Sequence, residues 1–165
     1  MTVIHTSPQR HANMAAIHSK DTKPEMVVRR YLWKQGFRYR LNHPRLPGKP
    51  DIVMRKYRSC IFVNGCFWHG HEGCRYYRIP KTNTEFWVNK VTGNKERDVK
   101  VQHELATMGW HSITIWECEL KPKEREKTLE SLAFTLNRIF LQDHSVRRYT
   151  TPEEEPMMAA EDMAD

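Results

Sequence analysis

Cys66, His71 and Cys74 stand five and three residues apart in the stretch Asn64–Cys74, which reads Asn-Gly-Cys-Phe-Trp-His-Gly-His-Glu-Gly-Cys. A Cys-x4-His-x2-Cys loop supplies three nitrogen or sulfur ligands, and a structural zinc takes four, tetrahedrally. Cys118 is the candidate fourth ligand, because it follows a predicted strand whose end can meet this loop. Cys60 lies inside an apolar strand and reads as a core thiol, with a ligand role as its alternative. A Cys3His set leaves no open position, so the predicted zinc is structural. His69, in the same loop, is a candidate general acid or base. Its alternative is to replace His71 at the metal.

A second constellation is acidic. Asp51 follows Pro50 at the mouth of one predicted strand, and Val63 and Asn64 end the next. Pairing those strands puts the Asp51 carboxylate near the Val63 carbonyl, and a carboxylate, a carbonyl and waters suit Mg2+. Glu25, at the start of a predicted helix, can add an acid through water. Singly, Asp51 reads as a solvated turn acid and Glu25 as a helix N-terminal charge, so the case rests on convergence. A third group is aromatic and basic. Phe67 and Trp68 lie in a polar loop, and Phe86 and Trp87 open a helix that continues through Lys90, Asn94, Lys95 and Arg97. Rings beside cations suit stacking on bases or wedging between them. The alternative for the rings is a small satellite core over the zinc loop. Arg75, Arg78 and Lys81 suit phosphate contact or a solvated face.

These residues need elements to hold them. A short helix is predicted over Gln9–Ser19, with Met14 and Ile17 one turn apart. Asp21 or Thr22 caps the next helix, which carries Pro24 and Glu25 in its first turn and ends at Gly36. Phe37–Leu41 alternates as a strand, Pro44–Pro50 is a turn, and Asp51–Met54 and Cys60–Val63 are strands. The reactive loop runs to about Thr84. Glu85–Gly109 is helical with a break near Thr92–Gly93, His111–Trp116 is a fourth strand, and Lys123–Phe140 is a last amphipathic helix. This order predicts an α/β fold with a central mixed sheet flanked by helices.

Bulk properties set the partner class. The chain has 165 residues, a net charge of +7 and a sequence pI near 9.3. The last fifteen residues hold six acids and no Lys or Arg, so residues 1–150 carry 27 bases against 14 acids, a net +13. Such a surplus points to a polyanion as partner. The expected organisation is one domain over residues 1–148, of which 1–20 form an arm and short helix, followed by an acidic, disordered tail over 149–165. No apolar run approaches the ~20 residues that span a bilayer. The first eleven residues lack a signal-peptide h-region, so a cytosolic location with reduced thiols is expected.

The combination resembles a known family. Asn13-Met14, Lys20-Asp21-Thr22, Pro24-Glu25, Leu46-Pro-Gly-Lys-Pro-Asp51, Phe62-Val-Asn-Gly-Cys-Phe-Trp-His69, Thr84-Glu-Phe-Trp87, Asn94-Lys-Glu-Arg-Asp98 and Trp116-Glu-Cys118 are similar to the very-short-patch repair (Vsr) DNA mismatch endonucleases, over residues 9–140. The resemblance implies a restriction-endonuclease-like fold with a structural zinc. It also implies an Mg2+-dependent nick 5′ of the T in a T:G mismatch arising from deaminated 5-methylcytosine. Carried over residue by residue, Asp51 binds Mg2+ with the Val63 carbonyl, Glu25 supports the metal waters and His69 is catalytic. Cys66, His71, Cys74 and Cys118 hold zinc. Met14, Phe67, Trp68 and Trp87 wedge into double-stranded DNA, and Lys90 and Asn94 contact it. Asn64 belongs to the catalytic group, yet stands where the family pattern has a histidine. An amide can position a phosphate or a water but cannot be a base. The His71–Cys74 spacing is one residue longer than the pattern. Mismatch-repair proteins are further implied partners of a monomer in the bacterial cytoplasm, at the nucleoid when on DNA. The competing expectation is a non-enzymatic zinc module that binds distorted DNA.

Overall fold

The computed structural model describes residues 7–17 and 19–145. The predicted acidic tail and the start of the N-terminal arm lie outside the described residues. Helices α1 (Pro8–Ala15) and α2 (Lys23–Lys34) precede strands β1 (Arg40–Leu41), β2 (Ile52–Met54) and β3 (Ser59–Asn64). Helix α3 (Thr84–Thr107), strand β4 (His111–Trp116) and helix α4 (Arg125–Asp143) complete the order, with 3-10 turns at Arg55–Tyr57 and Glu117–Leu120.

The strands form one mixed sheet in the order β1-β2-β3-β4. β1–β2 and β2–β3 are antiparallel and β3–β4 is parallel. A parallel pair needs a long crossover, and the reactive loop with α3 supplies it. Alternation along β3 splits the core in two. Ile61 joins Val28, Leu32, Met54, Ile115, Leu132 and Leu136 beneath α2 and α4. Cys60 joins Leu46, Val53 and Leu105 beneath α3. Each such large side chain contributes about 1.5–3 kcal/mol by burial. The result is α/β, a sheet between helical layers, as the element order predicts.

Thr22 caps α2, its Oγ1 accepting the Glu25 N–H at 3.4 Å, as the capping motif predicts. Three expectations need correction. The first strand shrinks to two residues because Phe37 turns into the α2–α4 core, 5.2 Å from the Tyr57 ring. Helix α1 stops at Ala15, short of Ser19, and none of its residues is buried to hold a further turn. Helix α3 has no break at Thr92–Gly93. A mid-helix glycine costs about 1 kcal/mol against alanine, and the buried Val91 and Leu105 on the same helix outweigh it.

Candidate functional site

The parallel register sets Asn64 opposite Trp116. The chain leaves β3 and β4 at the same end, so Cys66 and Cys118, each two residues further on, arrive together. The loop then folds back through His71 N–H to the Cys66 carbonyl (2.9 Å) and Cys74 N–H to the His71 carbonyl (3.3 Å). The ligand atoms of Cys66, His71, Cys74 and Cys118 all lie within 4.8 Å of one another. Cys118 Sγ is 3.4 Å from His71 Nδ1. Tetrahedral zinc with sulfur at about 2.3 Å requires sulfurs about 3.8 Å apart, so the donor set fits such an ion. The His71 ring lies flat on Trp116, with centroids 4.1 Å apart and 2° between planes, which fixes the imidazole. Burial raises the Cys66 thiol and pushes Cys118 up to about 12, while the Tyr76 backbone N–H lowers Cys74. A cation bound here would have to displace these protons, so its affinity would rise with pH. Cys60 stays in the core beneath α3, outside this cluster.

Beside the cluster a cleft of about 590 Å³ opens between the start of α2, the turn before β2, the end of β3 and α3. Glu25, Asp51, Val63, Asn64, His69 and Asp98 all line it. Asp51 Oδ2 accepts the Val63 N–H at 2.8 Å. The strand pairing thus joins the two residues the sequence joins, but through the Val63 amide. Ile52 opposite Ile61 leaves Asp51 facing Phe62, and its side chain reaches one residue further. Glu25 is 3% exposed, which rules out a plain solvated helix charge. Its Oε2 accepts from Arg29 Nη2 and from the Asp21 N–H, both at 3.0 Å, and Arg29 Nη1 reaches Asp21 Oδ1 at 2.5 Å. Burial pushes the Asp51 carboxyl up to about 6, and the nearby Glu25 charge adds to this. The Val63 N–H, Arg29 and His69 pull the other way. Two acids that repel each other in a partly desolvated cleft suit a hard divalent cation.

His69 Nδ1 lies 2.6 Å from Asp98 Oδ2, with both side chains 30% exposed. His69 is therefore committed to a carboxylate, outside the cysteine cluster. One face of α3 explains the arrangement. Trp87, Val91, Asn94, Asp98 and Val101 recur at helical spacing. Val91 closes against the loop at Gly70 (φ +62), where a Cβ would meet Val91 Cγ1 at 2.8 Å. Asn94 Nδ2 donates to the Trp68 carbonyl at 2.8 Å, and Asp98 takes His69. Asn94 thus anchors the loop. Asn64, 8% exposed, ends β3 in the cleft.

Phe67, Trp68 and Trp87 form a three-ring cluster, with centroids 5.2, 5.4 and 5.9 Å apart, and Phe86 extends it at 5.2 Å from Trp87. Phe67, Trp68 and Trp87 are half-buried, so packing over the loop accounts for part of their surface. Trp68 also lines the cleft. Lys90 is exposed one turn beyond Trp87. Met14 is 53% exposed on α1 and does not line the cleft, whereas Ile17 does. Residue-by-residue reasoning misses Asp98 and Arg29. The signal for Asp98 was the spacing Trp87–Asn94–Asp98. For Arg29 it was the i,i+4 position to Glu25.

Comparison with known proteins supplies an independent line. A family model described as "DNA mismatch endonuclease Vsr" matches residues 2–75. A type II nicking enzyme, V.NmeAIP of Neisseria meningitidis serogroup A, is 54% identical over 123 residues, 74% of this chain and 87% of that protein. V.XorIIP, a type II nicking enzyme of Xanthomonas oryzae pv. oryzae, is 44% identical over 115 residues, 69% and 84% of the two chains. The DNA mismatch endonuclease Vsr of Escherichia coli K12 is 40% identical over 125 residues, 76% and 80%.

Proposed function

Because the chain belongs to the Vsr family of DNA mismatch endonucleases and is a DNA endonuclease, we propose that it nicks duplex DNA 5′ of the T in a T:G mismatch left by deaminated 5-methylcytosine. The observation that carries this reading is the convergence of Asp51, Glu25 and an Asp98-bound His69 in one cleft, with the Phe67–Trp68–Trp87 cluster at its edge.

Asp51 and the Val63 carbonyl would hold Mg2+, with Glu25 acting through water. When bound there, the ion supplies positive charge against the charge that builds on the phosphate. Asp98 holds His69 Nδ1 as its N–H, which leaves Nε2 to accept or return the proton. Asn64 orients the phosphate or the attacking water through its amide. Trp68, backed by Phe67 and Trp87, enters the base stack, with Met14 reaching it from α1 and Lys90 and Asn94 on the α3 side. A wobble pair resists distortion less than a Watson–Crick pair, so wedging favours the mismatch. Zinc on Cys66, His71, Cys74 and Cys118 would hold the loop that carries His69 and Trp68.

The same reading takes residues 1–148 as the endonuclease unit, acting as a monomer in the bacterial cytoplasm and at the nucleoid. Mismatch-repair proteins are its further partners, and the acidic segment 149–165 competes with DNA for the basic face. Among the described residues no helix is long and apolar enough to cross a membrane. The test is strand nicking of T:G against C:G duplexes in several sequence contexts, with and without Mg2+. Nicking confined to T:G and to added Mg2+ supports the proposal. Equal cutting of matched duplex, or cutting in both strands, refutes it.

A further inference from the structure

Lys49 lines the same cleft, with no side-chain hydrogen bond or ion pair among the described residues. Its backbone is left-handed (φ +47), a conformation unfavourable for a non-glycine residue that persists only where neighbours impose it. The neighbours here are explicit. Gly48 (φ +71) lies so close to α3 that a Cβ would stand 2.5 Å from Val101 Cγ1. The Lys49 N–H bonds the Leu46 carbonyl at 3.3 Å, and Leu46 and Pro50 on either side are buried. The Leu46–Pro50 turn is thus clamped onto the face of α3 that carries Asp98 and Val101, next to Arg97.

Lys49 and Arg97 are both exposed, and both line the cleft that holds Asp51, His69 and Asp98. Among the described residues neither has a carboxylate within 4.0 Å. The side-chain bond of Arg97 goes to the neutral Asn94 Oδ1 at 3.4 Å. Arg29, the other cation near these acids, is already committed to Glu25 and Asp21. Two uncommitted positive charges, from a turn and from a helix, therefore share a cleft with its acids. An anion that also has to meet a cation held by those acids is a phosphodiester.

We propose that Lys49 and Arg97 form a phosphate clamp that grips the DNA backbone entering the cleft and holds it between Asp51 and His69. This rests on the reading of the cleft as the nicking site. The strained turn aims the lysine, and Arg97 offers a fork that a phosphate oxygen pair can accept.

The test is the salt dependence of binding of the full chain to T:G and to matched duplexes, without added divalent cation, together with thermal melting. Lys49→Met and Arg97→Met should each reduce the slope of log K against log salt by about 0.9 on both duplexes. That corresponds to about 3- to 4-fold less affinity loss between 50 and 200 mM salt. Lys49→Arg should keep the slope. Lys49→Gly relieves φ +47, so it should melt at or above the wild-type temperature and still lose the slope. An unchanged slope in Lys49→Gly or in Arg97→Met overturns the clamp. Slope loss in a protein that does not nick T:G leaves the clamp standing and sinks the mismatch reading. Wild-type nicking with unchanged variant slopes does the reverse.

Discussion

Asp51→Asn separates what the cleft does for stability from what it does for chemistry. The Asp51 carboxyl titrates near 6 in the fold against an ordinary 3.8, chiefly because it is buried. The fold favours the protonated form, so this contribution to stability is fully present below about pH 3.8 and is lost as pH rises through about 6. At about 1.36 kcal/mol per tenfold, the ionised group costs the metal-free protein up to about 3 kcal/mol at pH 7.5 and about 1 kcal/mol at pH 4.5. Asparagine keeps the shape, its carbonyl oxygen can still accept the Val63 N–H, and it carries no charge to desolvate. Without added Mg2+, Asp51→Asn should melt higher than wild type at pH 7.5, by up to ~6–12 °C for a chain of this size. The gain should shrink about threefold at pH 4.5. Added Mg2+ should raise the melting temperature of wild type and leave Asp51→Asn unmoved, while T:G nicking falls about 100-fold or more. Differential scanning fluorimetry at the two pH values, with and without Mg2+, reads all of this. An Asp51→Asn that melts lower at pH 7.5, or gains equally at both pH values, refutes the reasoning.

Asp98→Asn should lower single-turnover nicking by about 10²- to 10⁴-fold with little change in melting temperature or mismatch affinity, because only the His69 tautomer is lost; an equal fall in affinity would show a structural role instead. Metal analysis should find about one zinc per chain, lost in Cys118→Ser and Cys74→Ser and retained in Cys60→Ala; retention of zinc by Cys118→Ser would remove Cys118 from the set. Trp68→Ala should weaken T:G binding by about 1–3 kcal/mol and narrow the gap to C:G, as read by titration at fixed salt. Protons compete with Mg2+ for Asp51, so the Mg2+ concentration that gives half-maximal nicking should rise about tenfold per pH unit below pH 6, and a half-maximal concentration unchanged from pH 7 to pH 5 would contradict that assignment.

Much of this was legible in the chain itself. Thr22, Pro24 and Gly36 specified α2, because a side-chain cap, a fixed φ and a positive-φ stop are local devices. The apolar run at Cys60–Val63 specified a buried strand, and the density of ligand types in Asn64–Cys74 marked a loop whose Cys and His side chains gather where they could hold a metal. What was not legible depended on distance in space. Phe37 had alternation to join a strand, and the core beneath α2 and α4 took it instead. Gly93 had the chemistry of a helix break, and the burial of Val91 and Leu105 overrode it.

The sequence by itself therefore determined the element order and offered the cysteines, histidines, acids and aromatics as candidates, since each rests on residue type and short spacing, while Cys118 against Cys60 and His71 against His69 stayed open. Only the tertiary structure decided the partnerships. The parallel register of β3 and β4 delivers Cys118 to Cys66 across 52 residues of chain. One face of α3 commits Asp98 to His69 and Asn94 to the Trp68 carbonyl, and the Gly48–Val101 contact turns Lys49 into the cleft wall. Hydrogen bonds and ion pairs act over about 3 Å, and which groups come that close is settled by how sheet and helices pack.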